Sequence, residues 1–267
     1  MIKVIVAGAA GRMGGRLVSL LKDSAALTLV GAVESKGHMS IGEDAGEVAG
    51  CGPTGISIRD DLSAVIDRGE AVIDFSAPAA TLDHLRVAAQ HRRAMVIGTT
   101  GFASRELEEL RALARQIPCV FSPNMSVGVN FIFKVIAEMA KTLGDEYVLE
   151  VIEAHHRLKK DAPSGTALKI AEILARAVNR DLEQVAVYAR KGLVGERKRG
   201  EIGIQTIRAG DIVGDHTVLF GGMGERVEVT HRVQSRDTFA RGALRAARWV
   251  VKQPPGLYDM MDVLGLR

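Results

Sequence analysis

Aromatic residues are scarce in this chain: 4% of 267 residues, with a single tryptophan. That scarcity argues against the stacking surfaces with which proteins hold single-stranded nucleic acid. Cysteine is scarcer still. Cys51 and Cys119 stand far apart and without metal-ligand spacing, which points to two reduced thiols rather than a disulfide frame or a zinc site. No charge of one sign dominates either. A net charge of +3 and a pI near 8.9 are too weakly basic to indicate a nucleic-acid partner. Apolar runs are all shorter than a membrane span. The opening Met1-Ile-Lys-Val-Ile-Val-Ala-Gly8 reads as a buried strand and not a signal peptide, because its apolar run is short and flows into a glycine turn. A cytoplasmic protein is expected, without a membrane or nucleic-acid partner.

What is present is an ordinary globular composition, 47% hydrophobic and 25% charged, with 29 glycines. The length suits one large domain or two modest ones. In the first half, short apolar runs alternate with amphipathic helical stretches. Strands are expected at Lys3–Ala7, Leu27–Val33, Ala71–Phe75, Ala94–Ile97 and Cys119–Phe121, and helices at Arg12–Lys22, Leu62–Arg68, Thr81–Gln90 and Ser104–Gln116, the last with Ser104 as N-cap. Strands alternating with helices imply an α/β fold with a Rossmann-type, doubly wound parallel sheet.

After Val127 the rhythm changes. A long apolar helix (Asn130–Thr142), a strand (Tyr147–Ala154) and a helix (Gly165–Val178) precede successive strands at Val185–Ala189, Ile202–Arg208, Thr217–Phe220 and Arg226–Arg232. That succession predicts a second α+β domain with an open, mainly antiparallel or mixed sheet. A final helix, Asp237–Lys252, is stopped by Pro254-Pro255.

Three loops fall at carboxyl ends of predicted strands, where ligands bind in such sheets. The first is Gly8-Ala-Ala-Gly-Arg-Met-Gly14, opening a helix. Small residues let the backbone approach a pyrophosphate, and a helix N-terminus supplies N–H donors and the positive dipole end. The spacing departs from the usual G-x-G-x-x-G, with Ala10 in place of one glycine, but strand and helix flank it correctly. Glu34 ends the next strand, 20 residues after Gly14, where an acid can hold the adenine ribose hydroxyls. Lys36 is placed to meet a 2′-phosphate. The other two loops are Gly98-Thr-Thr-Gly101 and Ser122-Pro-Asn-Met125, whose backbone groups, with Asn124, suit the nicotinamide amide.

One segment concentrates acids, cations and free backbone donors: Glu153-Ala-His-His-Arg-Leu-Lys-Lys-Asp-Ala-Pro-Ser-Gly-Thr166. His155 and His156 adjoin a strand end, so their side chains diverge; one can face a reaction while the other binds substrate. That divergence also argues against a metal held by the pair. Lys159 is a fixed cation that can donate a proton, and Pro163-Ser-Gly-Thr166 opens a helix able to bind a carboxylate. Such a loop suits a small, multiply negative substrate that must gain a proton. Arg157 and Lys160 read as solvated charge.

These runs closely resemble the dihydrodipicolinate reductase family over nearly the whole chain. Besides the loops above, Asn124-x-Ser-Val-Gly-Val-Asn130, Ile207-Arg-Ala-Gly-Asp-Ile-Val-Gly-Asp-His216 and Gly224-Glu-Arg226 carry the resemblance. It implies a dinucleotide-binding domain from residues 1–125 with 236–267, and a substrate-binding and oligomerisation domain from 126–235 that builds a homotetramer. It also implies NADH or NADPH as cofactor and a small ring dicarboxylate as substrate. The reaction the resemblance implies is reduction of 4-hydroxy-tetrahydrodipicolinate to tetrahydrodipicolinate, in the diaminopimelate route to lysine. Residue by residue, catalytic roles fall on His155 and Lys159, and substrate binding on His156, Gly165 and Thr166. Cofactor binding falls on Gly8, Ala9, Ala10, Gly11, Arg12, Met13, Glu34, Gly98, Thr99, Thr100, Ser122, Pro123, Asn124 and Met125.

Two other readings share the glycine turn: an amino-acid or semialdehyde dehydrogenase, and a dinucleotide-binding sensor without turnover. Neither has a reason to keep His155, Lys159 and Thr166 together. Two departures from the family pattern bear on the cofactor. Ser35 follows Glu34 where many members carry an arginine, and Ala77 stands where some carry another. With two phosphate-facing cations lost, both cofactors should be used, with NADH at least competitive. Catalytic efficiency measured with each cofactor at matched salt checks this, and an NADPH preference of about a hundredfold, worth about 2.7 kcal/mol, would overturn it.

Overall fold

A computed structural model describes residues 1–267, which form two compact units: Met1–Val127 with Arg236–Arg267, and Gly128–Ser235. The first unit opens with β1 (Ile2–Ala7), whose Val4, Ile5, Val6 and Ala7 are wholly buried because helices cover both faces of the sheet. Helix α1 (Arg12–Lys22) follows and turns Gly14, Leu17, Val18 and Leu21 inward at helical spacing. Next come β2 (Leu27–Val33), the short α2 (Ala45–Val48), β3 (Ile58–Arg59) and β4 (Ala71–Asp74). Helix α3 (Pro78–Gln90), β5 (Ala94–Ile97), α4 (Ser104–Ala114) and β6 (Pro118–Phe121) complete this stretch.

The second unit is built from α5 (Val127–Leu143, its first residue at the unit boundary), β7 (Val148–His155), α6 (Gly165–Ala177), α7 (Leu182–Val185), β8 (Ala186–Val187), β9 (Ile202–Arg208), β10 (Gly214–Gly221) and β11 (Arg226–Val233). Its sheet runs β11-β10-β7-β9-β8. It is mixed: β10 pairs antiparallel with β11 and β7, while β7–β9 and β9–β8 are parallel. Strand alternation then decides the site. The inward positions of β7 are Leu149, Val151, Glu153 and His155, and those of β10 are Phe220, Val218, His216 and Gly214. Both stripes therefore change from apolar core to polar groups at one end of the sheet.

The chain then returns to the first unit with α8 (Asp237–Val250), β12 (Gly256–Tyr258) and α9 (Met260–Leu264). The first sheet is wholly parallel, in the order β12-β6-β5-β4-β1-β2-β3. Its winding reverses at β1 and β4, the position where doubly wound sheets bind ligands. Helix α8 covers one face with small residues, Ala240, Gly242, Ala243, Ala246 and Ala247. Gly242 has no room for more, since a Cβ there would lie 1.7 Å from the Met125 carbonyl oxygen.

Three expectations are corrected. Leu62–Arg68 is not one helix but two 3₁₀ turns, Leu62–Ala64 and Ile66–Arg68. They are broken at Val65, which leaves the helical region (φ −128°) while its side chain is buried. Val185–Ala189 is not a strand of that length: the Asp181 carboxylate accepts from Glu183 N and winds α7, leaving only Ala186–Val187 to pair. Ser104 is the first helical residue of α4, not its cap; the Glu106 carboxylate instead accepts from Ala103 N at 2.7 Å. Strand β12 and helix α9, after the two prolines, lay outside the sequence expectation.

Candidate active site

In the first unit, β1 runs into Gly8 at φ +73°, a conformation that suits glycine. Gly14 is equally constrained, since a Cβ there would lie 2.0 Å from the Gly8 carbonyl oxygen. The first turn of α1 is thus drawn against the end of β1, and no side chain caps that helix start. Its amides suit a phosphate. Glu34 reaches back to this turn and accepts from Ala10 N at 3.1 Å, and from Ser35 N at 2.8 Å. A cavity of about 680 Å³ opens here, lined among others by Gly8, Gly11, Glu34, Ser35, Lys36 and Phe75. A glycine turn, an uncapped helix start and an acid beside one cavity fit a dinucleotide.

A buried hub at the end of β4 shapes the neighbouring loops. The Asp74 carboxylate, wholly buried, accepts from Ser76 N and the Ser76 hydroxyl at 2.8 and 2.6 Å, and from His84 Nδ1 at 2.7 Å. The Thr81 and Thr99 hydroxyls lie 3.2 and 3.3 Å from it. Burial pushes this carboxyl's pKa up, but His84 and Ser76 outweigh burial and hold it below the ordinary range. Asp74 therefore stays charged and ties α3 to the Gly98–Gly101 loop. In the Ser122–Met125 loop, Asn124 Oδ1 accepts from Ser126 N at 2.9 Å and the Ser122 hydroxyl donates to Asn124 O at 2.9 Å.

In the second unit, Glu153 has no exposed surface. Its carboxylate accepts two bonds of 2.9 Å from the Arg208 guanidinium, one of 3.1 Å from Ser164 N, and a further bond from His155 Nδ1. Register explains the meeting: His155 is paired with Arg208 across β7–β9, and Glu153 with His216 across β7–β10. Burial would raise the Glu153 pKa, but Arg208 and His155 hold it below the ordinary value. Arg208 also donates to Asp161 O at 2.6 Å, so it pins the loop that carries Lys159. The Lys159 ammonium lies 2.8 Å from the Asp161 carboxylate.

Ser164 caps α6: its hydroxyl accepts from Ala167 N at 3.2 Å and lies 3.2 Å from His216 Nε2. The hydroxyl proton is then free to donate to that nitrogen. His216 sits edge-on to His155, ring centroids 5.2 Å apart, and is 6% exposed. Burial first, and His155 second, push its pKa down to about 3. It is neutral at physiological pH.

Two family models for dihydrodipicolinate reductase match, the N-terminal one over residues 2–125 and the C-terminal one over 128–264. The 4-hydroxy-tetrahydrodipicolinate reductases of Syntrophus aciditrophicus and Syntrophobacter fumaroxidans are each 55% identical over 267 residues, covering all of both chains. This chain belongs to the dihydrodipicolinate reductase family. A dipicolinate-bound dihydrodipicolinate reductase from Paenisporosarcina sp. TG-14 shares the fold, with a TM-score of 0.75 at 24% identity over 98% of each chain. Family members are NAD(P)H-dependent oxidoreductases, and the N-terminal half is their dinucleotide-binding part.

Within this reductase fold the sequence-predicted residues separate by what they expose. Gly8, Gly11, Arg12 and Glu34 border the turn, with Gly11 and Arg12 exposed. Ala9 and Met125 are buried in the core, so their backbones rather than side chains face the loop surface, and Met13 packs partly against that core. Thr99 is likewise buried, its hydroxyl held by Asp74 and Thr81, whereas Thr100 and Pro123 are exposed. Gly98 lies under the Phe75 ring, which leaves no space for a Cβ. His155 is buried in the cluster, His156 and Lys159 are half-buried, and Gly165 is exposed at the first turn of α6 with Thr166 beside it. Arg157 and Lys160 are exposed.

Sequence reasoning left Asp74, His84, Arg208, Ser164 and His216 without roles. A lone acid ending the apolar run Ala71-Val-Ile-Asp74 was a signal for the first hub. Arg208 and His216 lie within a family-like run, but their partnership with Glu153 and His155 depends on strand register.

The buried neutral His216 has a consequence for stability. Its pKa is about 3 in the fold and about 6.5 in an unfolded chain, so the unfolded state binds the extra proton between those values and stability falls as pH drops through that window. Between pH 7 and 5 this one group should remove about 2 kcal/mol. His216→Gln should lessen the loss by about that amount in urea unfolding at the two pH values; an unchanged loss would contradict a buried neutral ring.

Proposed function

We infer that the chain catalyses NAD(P)H-dependent reduction of 4-hydroxy-tetrahydrodipicolinate (dihydrodipicolinate) to tetrahydrodipicolinate, in the diaminopimelate route to lysine. Beyond family membership, the carrying observation is the cluster in which Glu153 and Arg208 hold His155, the Lys159 loop and the start of α6 together. It combines a fixed histidine, an ammonium and a helix N-terminus, groups suited to binding a ring dicarboxylate and supplying it with a proton. The Paenisporosarcina reductase is described as binding dipicolinate, itself a ring dicarboxylate.

When bound, the dinucleotide would supply a hydride to a ring carbon conjugated to an imine, the conjugation arising as the 4-hydroxyl leaves as water. The turn at Gly8–Met13 and Glu34 would hold its pyrophosphate and ribose, and the loops Gly98–Thr100 and Ser122–Met125 would hold its nicotinamide end through backbone groups. His156, Gly165 and Thr166 hold the substrate carboxylates and orient the ring. Lys159 stabilises negative charge that develops on the ring and supplies a proton, and His155 contacts the reacting ring. The cavity beside Ser35 and Lys36 also contains Asp60, Asp61 and Asp83, an acidic setting that supports NADH as a competitive cofactor.

The reading includes a cytoplasmic homotetramer assembled through the second sheet. No helix of the chain is long and apolar enough to cross a membrane. Ile207 on β9 and Val227 on β11 are exposed apolar side chains that self-association would cover. Light scattering of the full chain should give one species of about four chain masses; a stable monomer would sink the assembly.

Lys159→Ala should lower turnover by about a hundredfold or more while leaving NADH affinity nearly unchanged. Steady-state loss of nicotinamide absorbance, with cofactor binding measured separately, checks both halves. An equal loss of cofactor binding would remove Lys159 from its role.

A further inference from the structure

His155 has two ring nitrogens with different surroundings. Nδ1 points at the buried Glu153 carboxylate. The bond to Glu153 leaves Nε2 unused, and that nitrogen lies beside Gly214 on β10, where a Cβ would come within 3.1 Å of it. Glu153 cannot turn away, because Arg208 grips both its oxygens and Ser164 N bonds Oε1. An ionised carboxylate can only accept, so the nitrogen facing it carries the ring proton. The opposite nitrogen then carries the lone pair.

We propose that Glu153, clamped by Arg208, is a positioning residue that fixes the His155 tautomer, and that Gly214 keeps the lone-pair nitrogen Nε2 open to substrate. The proposal rests on the reductase reading and deepens it. His155 thereby becomes a hydrogen-bond acceptor toward the ring substrate, and Lys159 the group of the pair that arrives bearing a donor.

The charged and titratable groups around the ring agree. Glu153 lies on the same strand, Arg208 on β9, His216 on β10, and Lys159 on the loop after β7. Burial, reinforced by Lys159 and Arg208, holds the His155 pKa below the ordinary histidine value despite the opposing pull of Glu153. His216, edge-on and neutral, adds no counter-charge. The ring's burial, the two cations Lys159 and Arg208, of which Lys159 is paired with Asp161, and a buried neutral neighbour favour a neutral His155 with its proton directed at Glu153.

The test reads the ring itself. In full-length protein labelled with ¹⁵N-histidine, the His155 signals, assigned by their loss in His155→Asn, should show Nδ1 protonated and Nε2 unprotonated at neutral pH. Glu153→Gln should mix or reverse that pattern, move the acid limb of the kcat/KM profile, and lower kcat by about 10–100-fold with cofactor affinity retained. Gly214→Ala should keep the tautomer but lower kcat/KM for the ring substrate by about tenfold or more, since a methyl then covers Nε2.

A proton on Nε2 in the wild type overturns the proposal. So does a folded Glu153→Gln with unchanged tautomer and turnover, or a Gly214→Ala enzyme with undiminished efficiency. Should Glu153→Gln not fold, the wild-type spectrum and Gly214→Ala still decide. The spectrum needs no turnover, so a wild type that fails to reduce the substrate sinks the reductase reading separately from this one.

Discussion

The ion pair between Arg208 and Glu153 is the contact on which the second unit's chemistry depends. A carboxylate without exposed surface is costly unless its lone pairs are met, and here a guanidinium, a ring nitrogen and a backbone amide meet them. Removing one partner of such a pair typically costs about 3–5 kcal/mol, although the pair as a whole contributes little over an apolar replacement. Its value is therefore geometric. One carboxylate sets the ring of His155, the start of α6 and, through Arg208, the backbone of the loop that carries Lys159.

The first unit solves a similar problem at the end of β4. Asp74 is also fully buried, also bonded to a histidine Nδ1, and also met by a backbone amide and hydroxyls. In each unit an inward-facing strand position that would otherwise hold an apolar side chain holds a carboxylate instead. The surrounding loops are organised by satisfying it. Thr99 shows the effect: its hydroxyl is committed to this network, so the Gly98–Gly101 loop offers its backbone rather than that side chain.

Sequence periodicity carried most of the fold. The bounds of α1, β2, β5 and β9 match the expected ranges. It failed where burial and local capping compete with pattern. Val65 is core yet leaves the helical region, and Asp181 winds a turn where alternation suggested a strand. At the site, residues contiguous in sequence were legible as a group: the glycine turn and the His155–Thr166 loop. The partners brought in by pairing were not, since Arg208 meets Glu153 across two strands whose register no local pattern encodes. His216 gave no sign in sequence that it would be buried and neutral.

The second unit is an insertion: the chain leaves the first unit at Val127 and re-enters it at Arg236. The first sheet lacks α8, which shares the covering of one face with α1, and its edge strand β12, until the residues after Ser235 have been made. On a ribosome the segment Gly128–Ser235 is contiguous and can close its own core while the Ala-rich α8 is still to be synthesised. The middle of the chain can thus complete its core before the beginning has all of its own. In the interval, the part of the parallel sheet that α8 will cover stays open.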